Sequence, residues 1–130
     1  MKILVLRTDR PKAEVGIYDN EINLVYQKWE AHLRLAETIH LKLRDILDLL
    51  SISLDELEGI VVFKGPGSFT GLRIGISVAN ALASANSIPI IGSTTEDWIS
   101  AGLKRLLEGK NDLVVVPEYG AAVRTTTQKK

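Results

Sequence analysis

The stretch "GIVVFKGPGSFTGLRIG", Gly59 to Gly75, decides how the chain is read. Its first five residues form an unbroken run suited to a strand covered on both faces. Gly65-Pro66-Gly67 then bends the chain, and a helix of small residues follows from Thr70 to Ala85. Two readings of the junction compete. Backbone N–H groups at a helix N-terminus hold anions, which would make it a phosphate cradle; alternatively it is a turn, with Ser68 or Thr70 capping the helix. The spacing fits neither usual cradle. Gly71 is followed by Leu72 and Arg73 where a Walker loop needs Lys-Ser/Thr, and three residues separate Gly67 from Gly71 where a dinucleotide fingerprint has two. The nearby polar groups are Lys64, Ser68, Thr70 and Arg73, with no carboxylate to hold magnesium. The turn reading is favoured, and Gly65, Gly67, Ser68 and Thr70 remain the residues that would touch an anion.

Behind the loop, Gly71, Gly75, Ala79 and Ala83 recur every fourth residue and lie on one face of the helix. Glycine inside a helix costs roughly 1 kcal/mol relative to alanine, so a close neighbour is needed to offset it. A ridge of small residues lets another backbone come nearer than the usual axial separation of about 8–10 Å. Periodicity shows that the face is covered and not by what: this chain's own sheet and a partner's helix remain equal alternatives.

Working outward, Ile3 to Leu6, "AEVGIYD" and "INLVYQKW" read as a three-stranded meander turning at Asp19-Asn20. From Leu33 to Leu50 the positions Ala36, Ile39, Leu43, Ile46, Leu47 and Leu50 trace one face of an amphipathic helix. After the glycine loop and its helix come a strand at "IPIIGS", a helix from Thr95 to Glu108, a candidate strand at "DLVVV" and a frayed tail from Pro117. This order predicts an α/β fold: a mixed five-stranded sheet with helices packed on it, as in the ribonuclease-H-like folds.

At 130 residues the chain is expected to form one unit. Sixteen basic residues balance sixteen acidic ones, so overall charge does not predict a nucleic-acid or anionic membrane surface. The absence of cysteine excludes disulfide and thiolate chemistry. The opening apolar run is too short for a signal peptide or a membrane span, so a cytoplasmic location is expected, with no membrane contact. His32 and His40 lack the spacing of metal ligands, Trp98 reads as a packing residue, and Arg124, Lys129 and Lys130 as solvated tail charges.

"GPGSFTGLRIG" resembles the signature of the TsaB (YeaZ) family of tRNA threonylcarbamoyladenosine biosynthesis proteins. "MKILVLRT" is similar to the family's first strand, and "IPIIGSTT" to the strand after the glycine helix. The resemblance covers residues 1–98, a ribonuclease-H-like domain that is half of an actin-like ATPase architecture. It leaves 99–130 as a shortened C-terminal part. The family implies a noncatalytic scaffold with no cofactor or metal of its own, forming a heterodimer with the transferase TsaD. TsaE joins that complex, tRNA is met only through it, and the scaffold forms a homodimer when alone. Carried over by position, partner contact falls on Gly71, Arg73, Gly75, Ala79 and Ala83, and on exposed positions of the Leu33–Leu50 helix. Two departures stand out. Arg7-Thr8 replaces the family's Asp-Thr, with Asp9 one place later, and most of a second domain does not follow residue 98. Pro117-Glu118-Tyr119 resembles the family's closing Pro-x-Tyr. The competing classes are a stand-alone nucleotide-binding actin-like ATPase and a homodimeric interaction module.

Overall fold

The computed structural model describes residues 1–119; the tail charges Arg124, Lys129 and Lys130 lie outside them. Five strands form one mixed sheet in the order β3-β2-β1-β4-β5. The meander supplies β1 (Lys2–Arg7), β2 (Lys12–Asp19) and β3 (Ile22–Glu30), paired antiparallel. The β2–β3 turn falls at Asn20, whose φ of 54° is one that asparagine tolerates better than most residues. Beyond it, β4 (Gly59–Phe63) lies parallel to β1, and β5 (Ile90–Ser93) parallel to β4. All five residues of β4 are buried, as the unbroken run requires.

Strand alternation fixes the layers. Leu4, Leu6 and Thr8 point to one face of β1, and that face receives α1 (Leu35–Leu50) and α2 (Phe69–Asn86), with a β-carbon on Gly75 falling against Thr8. Val5 lies opposite Val61 on the other face, where Gly102 of α3 (Trp98–Leu107) packs on Val61. Between the sheet and α1 and α2 lie Leu4, Leu6, Ile17, Ile39, Ile46, Leu72 and Ile76, all buried. On the far side Phe63 meets Trp98 edge to face, at 6.0 Å between centroids and 75° between planes. A fully buried side chain of this size contributes about 1.5–3 kcal/mol. Trp98, Leu103, Leu106 and Val115 are buried in the same cluster as the residues before them.

Four local expectations change. The "DLVVV" run is not a strand. The outer edge of β5 is occupied by side chains, since Ile90 N–H donates to Asn111 Oδ1 (3.1 Å) and Gly92 N–H to Asp112 Oδ2 (2.9 Å). Leu113 then takes a φ of 70°, which ends any extended run. The tail does not fray at Pro117, because Glu118 N–H donates to the Lys64 carbonyl (2.7 Å). The third helix begins at Trp98 and not at Thr95, whose φ of 72° is incompatible with a helix. Ser68 stands at the N-cap of α2 without a side-chain capping bond, and Thr70 is already inside the helix. Among the described residues no helix is long and apolar enough to cross a membrane.

Candidate functional site

The glycines of the loop answer to close approach within the chain. A β-carbon on Gly65, at φ 125°, would stand 2.0 Å from the Glu118 carbonyl oxygen. One on Gly67 would stand 2.5 Å from Asp9 Cβ and 3.1 Å from its carboxylate. The Asp9 side chain therefore fills the space beside Gly67, in the loop whose Gly65, Gly67, Ser68 and Thr70 are the candidate anion contacts. Asp9 is buried and gripped by Arg7, whose Nε and second guanidinium nitrogen donate to the two carboxylate oxygens at 2.7 and 3.2 Å. The Arg7 guanidinium in turn covers the Phe63 ring at 3.8 Å. The Lys64 stem lies over Gly92 of β5. Among the described residues no group of three His, Asp or Glu side chains is placed to hold a metal ion.

The small-residue ridge is covered by the sheet. A β-carbon on Gly71 would fall 2.2 Å from the Thr8 carbonyl oxygen, and one on Gly75 2.0 Å from Thr8 Oγ1. Thr8 Oγ1 also donates to the Gly71 carbonyl at 2.7 Å, tying β1 to the first turn of α2. Ala79 and Ala83 are buried in the same row. Gly71 and Gly75 therefore lie against Thr8 of the chain's own sheet, and Ala79 and Ala83 are buried in its core. Their spacing reports how near α2 comes to the sheet.

Arg73 lies on the opposite side of α2, exposed. With Thr70, Ile74, Ser77 and Val78 it faces Ala36, Ile39 and His40 of α1 across an open groove of about 460 Å³. The floor is aliphatic, and Arg73 and His40 are the ionisable groups along it. Phe69, one turn before Arg73 on α2, is half exposed as further uncovered apolar surface. Arrangements of this kind, two helices with a furrow between them, accept a third element by burying its apolar stripe.

Sequence reasoning missed a second set of residues. Asn80 holds Val115 by both backbone groups, receiving its N–H and donating to its carbonyl at 2.9 Å each. Asp112 takes two guanidinium bonds from Arg105, at 2.8 and 3.3 Å. Burial raises the Asp112 carboxyl, but hydrogen bonds from Arg105 and the Gly92 N–H outweigh it and hold it below the ordinary carboxylate range. A single amide inside the apolar run "RIGISVANALA" was the available signal. Elsewhere, burial and a hydrogen bond to Glu14 push the Tyr26 hydroxyl far above its ordinary value.

A mixed five-stranded sheet with two helices on one face and one on the other places the chain in the ribonuclease-H-like, actin-like α/β class. The "RuvC" structure of Thermus thermophilus shares this fold at a TM-score of 0.52, with 9% identity over 92% of this chain and 86% of that one. A family model described as "TsaD: tRNA N6-adenosine threonylcarbamoyltransferase" matches residues 30–115, and the chain belongs to that family. Within it the likeness is to the TsaB (YeaZ) proteins. The Escherichia coli "tRNA threonylcarbamoyladenosine biosynthesis protein TsaB" is 34% identical over 111 residues, 81% of this chain and 45% of that protein. The structure "YeaZ from Pseudomonas aeruginosa" superposes with a TM-score of 0.67 and 27% identity, over 72% of this chain and 43% of the other. The chain spans about half the length of the curated relatives it matches.

Proposed function

We propose that this chain is a noncatalytic scaffold subunit in the biosynthesis of threonylcarbamoyladenosine in tRNA, docking on the transferase TsaD and stabilising its active arrangement. The observation that carries the reading is the uncovered α1–α2 groove, aliphatic along its floor and lined by residues of both helices. The family match adds a symmetry argument. This chain and the transferase fall under one family model, so the transferase has a related helix pair to offer, and two related pairs pack face to face about a pseudo-twofold axis. Arg73 keeps its assignment to the interface. The ridge positions pass theirs to Thr70, Ile74, Ser77 and Val78 on α2 and to Ala36, Ile39 and His40 on α1. In this reading TsaE joins the complex, tRNA is met only through it, and a homodimer through the same face forms when the transferase is absent.

The test is sedimentation of the chain alone, the transferase alone and an equimolar mixture, with transferase turnover measured in each. A one-to-one complex with raised turnover is the expected result. Absence of a complex at micromolar concentrations, with the chain folded, would refute the proposal. A self-associated chain that ignores the transferase would favour the homodimeric module.

A further inference from the structure

We infer that Asn111–Tyr119 is a strap that sets the docking face, in which Tyr119 holds Arg73 in place through Phe69, so that Arg73 receives a carboxylate from the docked helix. The inference rests on the proposed function for its partner and on the free chain for its geometry. The strap is fixed along its length. Asn111 and Asp112 accept the β5 backbone N–H groups, Asn80 clamps Val115, and Glu118 N–H donates to Lys64. Val115 is buried over Gly92, where a β-carbon would stand 2.7 Å from it.

These anchors deliver Tyr119 onto the Phe69 ring, with centroids 4.4 Å apart and planes inclined by 28°. Phe69 is half exposed at the start of α2, one turn before Arg73, whose guanidinium carbon lies 5.2 Å from the ring centroid. A half-exposed phenylalanine with one face unsupported would move among rotamers, and the arginine above it with it. Stacked on Tyr119, it offers Arg73 a fixed platform. Among the described residues no carboxylate lies within ion-pair distance of Arg73, and no acid lines the groove it borders. The planar guanidinium suits two parallel bonds to a carboxylate, so the complementary occupant is an amphipathic helix with an aspartate or glutamate beside its apolar stripe.

Two measurements test this. In the free chain, the stack predicts ring-current displacement of the Arg73 side-chain NMR resonances, lost in Tyr119→Ala and kept in Tyr119→Phe. With the transferase, Tyr119→Ala should weaken binding roughly two- to tenfold, while Tyr119→Phe binds as wild type. Once Arg73→Gln is present, Tyr119→Ala should add no further loss. Arg73 and Phe69 resonances indifferent to Tyr119→Ala would overturn the inference, as would independent, additive losses from the two substitutions. If the wild-type chain does not bind the transferase, the functional reading and the carboxylate role fall together, and the free-chain resonances still decide whether Tyr119 positions Arg73.

Discussion

On the side of α2 turned to the sheet, Gly71 and Gly75 give way to Thr8, and Ala79 and Ala83 continue the same close row. On the side turned away, Thr70, Arg73 and Ser77 are exposed, and Ile74 and Val78 are half covered. Both sides carry a repeat with helical spacing, and they do different work. The inner repeat sets how near the helix lies to β1, which any substitution adding a β-carbon would disturb. The outer repeat borders empty space and tolerates change in the isolated chain. Substitutions two residues apart on one helix should thus separate folding from docking.

The largest expected effect is on the inner side. Gly75→Leu should destabilise the chain by about 3 kcal/mol, because even its first side-chain carbon overlaps Thr8. Urea unfolding measures the loss, and an unshifted midpoint would mean that α2 does not lie this close to β1. A smaller effect is expected at the strap. Asn80→Ala leaves both Val115 backbone groups without their partner and should cost about 1–3 kcal/mol, with faster proteolysis between Asn111 and Tyr119. Unchanged cleavage there would show that the strap is held by other contacts.

The smallest effect concerns pH. The folded-state Asp112 carboxyl is held below its ordinary value, so the unfolded chain binds that proton more tightly. Its contribution is complete above the ordinary carboxylate range and is lost as pH falls through that range toward the folded value. Asp112→Asn should remove this part of the acid limb, by less than about 1 kcal/mol for a partly exposed pair. Identical acid limbs for wild type and variant would contradict the assignment.

Much of the fold was legible in the chain. The unbroken "GIVVF" run specified a strand covered on both faces, the meander showed in its short strands and the Asp19-Asn20 turn, and Ile39, Leu43, Ile46 and Leu47 gave α1 its inner side, whereas Ala36 of the same stripe is exposed in the groove. The candidate site was legible only in part. Spacing of four in α2 records close packing, yet the neighbour is Thr8, more than sixty residues earlier, and periodicity carries no information about such a distant contact. "DLVVV" has strand composition, but Asn111 and Asp112 satisfy the β5 edge first and Leu113 turns the backbone aside. The groove was hidden for a related reason: it exists between α1 and α2, and neither helix contains it alone.

The most direct test is the affinity of Ser77→Arg for the transferase, measured beside its thermal unfolding. Ser77 lies exposed in the outer repeat, two residues from Gly75, and an arginine there would fill the groove without touching the sheet. The account predicts stability within about 0.5 kcal/mol of wild type and binding weakened tenfold or more. Wild-type affinity in a folded Ser77→Arg chain would contradict it.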